Sequence, residues 1–251
     1  MIEMAEETPK EEIKTEEPKT AAAPKPRRVR AEKVQQPKQE TENTPKEQLF
    51  TNSILLFDKY DYNVEVADLS LKNYVNLKQM AYPSTYRRSS QKSFSKANLN
   101  IVERLSNSLM RGGTGGKIGG HIIRTKGRLQ GKKLKTTHII ERAFEIIHKQ
   151  TNKNPLQVLI RALENSAPIE DTTRIVYGGI KSNVAVDISA SRRLDIALRN
   201  ITMATIIGAF GSKRSISEAL ANELMLAATA SPDSYAIKRK NEIERMARSA
   251  K

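Results

Sequence analysis

Apolar residues recur every three or four positions through most of the chain beyond about residue 97. This spacing predicts amphipathic helices, each of which turns one apolar face towards a shared core. We predict six helices, of which the first, second and fourth cover about 97–111, 136–150 and 190–208. Aromatic residues make up only 5% of the chain, so the predicted core is mostly aliphatic.

Capping residues mark the starts of the other three helices. Asn154 and Ser231 each precede a proline, and a polar cap followed by proline is a common helix start. Ser215 and Glu218 have the spacing of a capping box, in which side chain and backbone bond to each other in both directions. We therefore predict that the third, fifth and sixth helices begin at Asn154, Ser215 and Ser231.

The one predicted β structure is a hairpin over 173–187. Two runs rich in β-branched residues, 173–177 and 180–186, are separated by Gly178-Gly179. A Gly-Gly pair suits a two-residue turn because both central residues take positive φ. The predicted fold class is therefore mainly α, with about six helices and one hairpin.

The first 48 residues differ in composition from the rest. They contain six of the ten prolines and almost no large apolar residues, so they cannot bury enough surface to offset the entropy of ordering. We predict a disordered N-terminal extension over 1–48 and one ordered domain over 49–251. Apolar residues between 55 and 66 predict a short strand or extended strap at the start of that domain.

The charge of the chain indicates a polyanionic partner. The net charge is +15, and residues 49–251 alone carry 33 basic and 17 acidic side chains. There is no cysteine, no apolar run of membrane-spanning length, and no apolar core of a signal peptide at the acidic N-terminus. These features are compatible with a cytoplasmic protein.

The segment 111–135 is the most unusual part of the sequence. It holds eight of the twelve glycines and eight basic residues, with no acidic residue. Such a composition predicts a mobile cationic loop that becomes ordered on its partner. It is a poor match to a nucleotide-binding phosphate loop, because Arg111 stands where the first glycine is required and Ile118 replaces the hydroxyl residue.

No set of residues predicts catalysis, a metal site or a cofactor. Glu145 and His148 have the Glu-x-x-His spacing of carboxylate-bridged metal sites, but the second copy that those sites require is missing. The three histidines are not paired with a clear nucleophile. We predict that the protein is not an enzyme; a metal- or nucleotide-dependent enzyme is the weakest alternative.

Basic clusters lie beside several predicted elements, at 87–96, 111–135, 192–193, 213–214 and 238–240. A single charged run is usually a solvated face. Several clusters on separate rigid elements suit an irregular folded RNA better than a DNA groove, because RNA is recognised largely by its shape. A DNA-binding architectural protein is the alternative, since helices with basic faces also enter the major groove.

Several blocks of this sequence resemble the universal small-subunit ribosomal protein seven family, in its archaeal and eukaryotic form. The most specific are IVERLSNSLM at 101–110, 143–168, TRIVYGGI at 173–180, 184–189 and 234–247. The resemblance implies a helical domain with a protruding β-hairpin that is a structural constituent of the cytoplasmic ribosome. It implies binding to the 3′ major domain of small-subunit rRNA and a role in assembling the subunit head. It also implies a position near exit-site tRNA and the mRNA exit path, beside neighbouring head and platform proteins.

The resemblance assigns RNA contacts to four places: a basic arm before the first helix, the hairpin, the start of helix four and the turn before helix five. In that order, the matching residues are Arg87, Arg88 and Lys92; Arg174, Tyr177, Gly178, Gly179 and Lys181; Arg192 and Arg193; and Lys213 and Arg214. Their own charge and setting add Lys96, Arg111, Lys117, Arg124, Lys126, Arg128, Lys132, Lys133, Lys135, Lys238 and Arg239.

Overall fold

The computed structural model describes residues 54–85, 93–117 and 122–251. They form seven α-helices, one 3₁₀ helix and a two-stranded antiparallel sheet, which confirms the predicted mainly α fold with one hairpin. The predicted extension 1–48 lies outside the described residues. The elements are α1 Leu69–Lys72, a 3₁₀ helix Ser95–Asn98, α2 Ile101–Met110, α3 Lys133–Thr151, α4 Pro155–Ser166, β1 Glu170–Tyr177, β2 Ile180–Asp187, α5 Ala190–Ala209, α6 Ile216–Ala228 and α7 Tyr235–Ser249.

The count of helices differs from the prediction because α1 is only four residues long. A single turn is too short for an apolar repeat to reveal. Its start is marked instead by Asp68, whose carboxylate accepts hydrogen bonds from the backbone N–H and the hydroxyl of Ser70 at 2.8 and 2.7 Å. No helix in the described part of the chain is long and apolar enough to cross a membrane.

The predicted start of the last helix at Ser231 is wrong, since α7 begins at Tyr235 and its cap is Ser234. Ser231 instead closes a tight turn, in which its carbonyl accepts the N–H of Ser234. The choice between the two serines depends on Glu223 of α6, which is buried. Its carboxylate accepts hydrogen bonds from the Ser234 hydroxyl at 2.7 Å and from the Ala236 N–H at 2.9 Å.

Two other boundaries shift by a few residues. The first predicted helix begins at Ile101 rather than 97, because Asn100 caps it by accepting the Val102 N–H at 2.9 Å. The Asn100 amide also donates to the carbonyl of Lys78 at 2.7 Å, which ties the cap to the preceding segment. The second predicted helix begins at Lys133 rather than 136, so the last three residues of the predicted loop are helical.

Helices α2 to α6 enclose the core, which is mostly aliphatic as predicted. Leu105, Leu159 and Leu220 are fully buried, as is Phe144, the largest of the fully buried side chains. Burying such a side chain contributes about 2 kcal/mol or more, so these contacts supply most of the driving force for packing. The helices therefore form one rigid support for the basic segments between them.

The predicted strap at the start of the domain packs against this core. Leu56 and Tyr60 close a turn through backbone hydrogen bonds, and the remainder up to residue 68 is extended without strand pairing. The rings of Phe57 and Tyr60 meet that of Phe144 edge to face, at 6.3 and 6.2 Å between centroids.

Side chains of α4 hold the rest of the strap. Gln157 both donates to and accepts from the backbone of Glu65, and Glu164 accepts the N–H groups of Ala67 and Asp68. These residues recur on one face of α4, so the strap lies along the helix.

Candidate nucleic-acid interface

The turn of the hairpin requires glycine for its conformation. Gly178 and Gly179 have φ of 57° and 82°, and the flanking Tyr177 and Ile180 are paired across the strands. Positive φ at both central residues is characteristic of a type I′ turn, whose twist matches that of the two strands. A Cβ at either glycine would meet no atom within 4 Å, so backbone conformation rather than space restricts these positions.

The register divides the hairpin into two different faces. Arg174 is paired with Asn183 and Lys181 with Val176, which puts both cations on one face. Tyr177 lies on the opposite face, where it is 87% exposed. The predicted hairpin residues therefore divide between a cationic face and a face that also exposes Ile175, Ile180, Val184 and Val186.

Arg192 lies at the base of the hairpin and keeps most of its surface free. Its guanidinium is 3.7 Å from the carboxylate of Asp171 in β1, and 67% of the side chain is exposed. The base is also held by Lys251, whose ammonium is 2.7 Å from Glu170. The Arg192 guanidinium is therefore accessible to a phosphate.

Arg193 faces the interior of the protein. Its Nε donates to the carbonyl of Pro168 at 3.2 Å and its Nη2 to Asp68 at 2.9 Å, while Nη1 bonds the hydroxyl of Ser70. Only 11% of its side chain is exposed. Because its donors are satisfied inside the protein, we assign Arg193 a structural role and retain Arg192 alone from the pair.

This network also shifts the pKa of Asp68. Partial burial acts to raise the pKa of the Asp68 carboxyl, but hydrogen bonds from Ser70 and the positive charge of Arg193 outweigh it. The pKa of Asp68 is therefore lowered below its ordinary value of 3.8. Asp68 stays ionised at neutral pH and holds Arg193 in place.

Contacts within the glycine-rich segment bring its two ends together. Thr114 and Ile123 bond to each other, and Ile123 and Leu129 are buried. At Gly112 a Cβ would approach the Thr125 hydroxyl to 2.3 Å, so glycine allows this close contact. The mobility of the segment stays a prediction. Six of its predicted cations are exposed and meet no carboxylate of the described residues: Arg111, Lys117, Arg124, Lys126, Arg128 and Lys132.

The last two cations of the segment are on α3 and differ from each other. Lys133 bonds Glu103 at 2.5 Å, and this carboxylate is almost fully buried. Glu103 also accepts the N–H and hydroxyl of Thr85, which directly precedes the predicted basic arm. Lys133 therefore anchors the end of the segment, whereas Lys135 is exposed and without such a partner within the described ranges.

The remaining predicted cations within the described residues lie on the 3₁₀ helix, in the turn between α5 and α6, and on α7. Lys96 of the 3₁₀ helix is 4.0 Å from Asp195 of α5. Lys213 and Arg214 are exposed in the turn between α5 and α6, and Lys238 is exposed on α7. Three predicted arm residues, Arg87, Arg88 and Lys92, lie outside the described residues, while Arg239 on α7 is paired with Glu242.

The structure adds two residues that the sequence analysis missed, Asn107 and Arg199. They line an open cleft of about 780 Å³ between α2, α5 and the start of the glycine-rich segment, together with Arg111. Arg111 is the C-cap of α2, four residues after Asn107, and this spacing could have indicated a shared face. Arg199 of α5 lies 92 positions from Asn107, so only the packing of α5 against α2 brings it to the cleft.

Among the described residues, no three His, Asp or Glu side chains are grouped as metal ligands would be. The Glu145 carboxylate, which the Glu-x-x-His spacing singled out, bonds Lys59 at 2.6 Å instead. The ring of His148 lies against that of Tyr60. Both residues thus have contacts within the fold.

Comparison with known proteins identifies the family. The model of the family described as ribosomal protein S7p/S5e matches residues 71–251. The chain belongs to that family. One relative is the small ribosomal subunit protein uS7 of Cenarchaeum symbiosum, 46% identical over 202 residues, which cover 80% of this chain and 98% of the relative.

Membership in the S7p/S5e family makes this chain a protein of the small ribosomal subunit, acting in the cytoplasmic ribosome as the sequence resemblance implied. The S7p/S5e match begins within α1 and includes every predicted RNA-binding residue. The strap over 54–68 precedes the matched range, although it packs on helices that belong to it.

Proposed function

We propose that this protein is a structural rRNA-binding constituent of the small subunit and has no catalytic role. Phosphate contacts from its exposed cations would supply most of the affinity, and the shape of the folded RNA would supply specificity. The arrangement of basic groups on several rigid elements supports RNA over a single DNA groove.

The observation that carries this proposal is the free charge of the glycine-rich segment. Six exposed cations lie between 111 and 132, with no acidic residue in the segment and no carboxylate partner in the described ranges. Cations without internal partners can release counterions from RNA without first breaking an ion pair. Ile123 and Leu129 are buried and line one cleft with Ile206 of α5 and Ile216 of α6, which keeps this charge close to the helices.

The finer role follows from the family. The RNA would be the 3′ major domain of the small-subunit rRNA, and binding would help assemble the subunit head. The hairpin would then lie near exit-site tRNA and the path of departing mRNA, beside head and platform proteins. The cationic face with Arg174 and Lys181 is the face that we assign to RNA.

The test is a binding series with the full chain over a range of salt concentrations. The ligands are a transcribed 3′ major-domain rRNA fragment, an unrelated folded RNA and duplex DNA. We expect the rRNA complex to persist at salt concentrations that dissociate the other two. Equal and equally salt-sensitive binding of all three would refute specific rRNA recognition.

A matched pair of variants tests the free charge directly. Arg124→Ala with Arg128→Ala removes two free cations and should lower the salt slope of rRNA binding by up to about two. The control is Arg142→Ala with Arg161→Ala, which removes two exposed cations from α3 and α4. Equal effects of the two pairs would contradict a specific role for the glycine-rich segment.

A further inference from the structure

The cleft between α2 and α5 has the size and chemistry of a site for one nucleotide. We infer that it binds a single unstacked nucleotide of RNA, with the phosphate at Arg111 and Arg199 and the base edge at Asn107. This rests on the proposed RNA binding and goes beyond it, because it assigns a base-recognising pocket. Its volume of about 780 Å³ lies within the range of about 300–1,000 Å³ typical of small-molecule sites.

Contacts between residues that line the cleft hold its two walls in place. Arg104 of α2 donates to the carboxylate of Asp195 in α5 at 2.9 Å, and only 6% of the Arg104 side chain is exposed. Nearby, the hydroxyls of Ser108 and Thr202 are 3.2 Å apart. Since both bonds join α2 to α5, the cleft is formed before any ligand arrives.

Three polar side chains at the cleft remain free for a ligand. Asn107, Arg111 and Arg199 line it, and none of their side chains bonds to another described residue. By contrast, Lys133 and Arg104, which also line the cleft, are used by Glu103 and Asp195. The carboxylates of Glu103 and Asp195 also line the cleft, but each is paired with a cation. Two cations and one amide are left, and these can bind a phosphate and a base.

The apolar part of the lining explains why a nucleobase would leave its stack in the RNA and enter the cleft. Leu198, Met203 and Ile206 of α5 give the cleft an apolar part beside its polar groups. A nucleobase has apolar faces and a polar edge, and an Asn amide can donate and accept at once to such an edge. Sequence-specific recognition of RNA usually uses bases of loops and bulges that are splayed out in this way.

The test uses the full chain, the transcribed 3′ major-domain rRNA and chemical probing of base edges with dimethyl sulfate and a carbodiimide. Wild type should protect a nucleotide whose base edge becomes reactive again with Asn107→Ala. That variant should weaken binding roughly tenfold and leave the salt slope unchanged, because no charge is lost. Arg111→Ala and Arg199→Ala should each lower the slope by about one.

Arg161→Ala is the control, since Arg161 is exposed on α4 and does not line the cleft. Thermal unfolding of each variant confirms that it is folded. If wild type binds the rRNA but all three cleft variants match the control and no base edge is re-exposed, this inference fails and the proposed function stands. If wild type does not bind the rRNA, both fail.

A separate arm distinguishes RNA from a free nucleotide. The four nucleoside monophosphates are titrated into wild type and Asn107→Ala and followed by NMR. One outcome is saturable micromolar binding of a nucleotide that Asn107→Ala abolishes, while the rRNA affinity of this variant equals that of wild type. This outcome would assign the cleft to a free nucleotide and contradict the inference that it binds RNA. No such binding, together with a re-exposed base in the rRNA, supports it.

Discussion

Arg192 and Arg193 are adjacent in sequence but differ in what surrounds their guanidinium groups. Arg193→Ala removes a buried cation, which leaves Asp68 without its positively charged partner and the carbonyl of Pro168 without the Arg193 donor. We expect it to lower the free energy of unfolding by about 3 kcal/mol. Arg192→Ala removes an exposed cation and should change that free energy by less than about 1 kcal/mol.

Denaturant unfolding measures the first effect, and the salt dependence of rRNA binding measures the second. Arg192→Ala should lower the salt slope by about one if this side chain meets a phosphate. A variant at Arg193 that remains as stable as wild type would contradict the structural role assigned to this residue.

Asp68 gives the stability a dependence on pH. Because its pKa is lowered in the folded protein, its charged form stabilises the fold at pH values above its ordinary pKa of 3.8. That contribution is lost as the pH falls from about 3.8 through the folded pKa. Asp68→Asn does not titrate there, so its stability should differ most from wild type above about pH 5 and less in acid.

The free energy of unfolding measured from about pH 6 to pH 2.5 for both proteins checks this sign. The substituted asparagine retains a side-chain oxygen that can cap α1, so the variant is a close control for shape. A difference between the two proteins that stays constant across this range would show that the Asp68 charge does not contribute.

Among the secondary-structure elements, two helix starts form a natural comparison. Ser215 accepts the N–H of Glu218 at 3.2 Å, and Glu218 accepts the N–H of Ser215 in return. Ser189 occupies the same cap position at α5 but makes no side-chain cap bond. Ser215→Ala should therefore cost about 1 kcal/mol in the free energy of unfolding, and Ser189→Ala much less.

Both variants can be measured by urea unfolding under the same conditions. Equal losses at the two positions would mean that the capping bond at α6 is not the source of the effect. The cap is also next to the basic turn, because Lys213 and Arg214 directly precede Ser215.

The hairpin shows which structural features a local sequence pattern can predict. Gly178-Gly179 placed its turn correctly, because a two-residue loop leaves little choice of backbone conformation. The strands extend three residues further at the start of β1 than the β-branched run, since Glu170 and Asp171 pair with Asp187 and Val186. Glu170, Asp171 and Asp187 are acidic residues, which are depleted in strands and give no strand signal in the sequence.

For the protein as a whole, the paired and unpaired cations should contribute differently to RNA binding. Lys132→Ala with Lys135→Ala removes two exposed cations and should lower the salt slope by up to about two, with little change in stability. Lys133→Ala leaves the buried Glu103 without its cation and should lower stability by about 2 kcal/mol or more.

Thermal or urea unfolding and a salt series of rRNA binding separate the two effects. If Lys133→Ala changed only the salt slope and not the stability, the ion pair with Glu103 would not be the anchor that we assign. The variant with Lys132→Ala and Lys135→Ala is the reference, because it removes charge without breaking an ion pair of the described residues.

The sequence alone was enough to predict the class of the fold, the main helices, the hairpin turn and the polyanionic partner. These depend on local spacing, on turn residues and on total charge, all of which are properties of neighbouring residues or of composition. Only the tertiary structure decided which cations are free. Arg193 and Lys133 are bound by Asp68 and Glu103, residues 125 and 30 positions away, and packing of α5 on α2 brings Arg199 near Asn107. Contacts between residues so far apart leave no local pattern, because they exist only once the helices have packed.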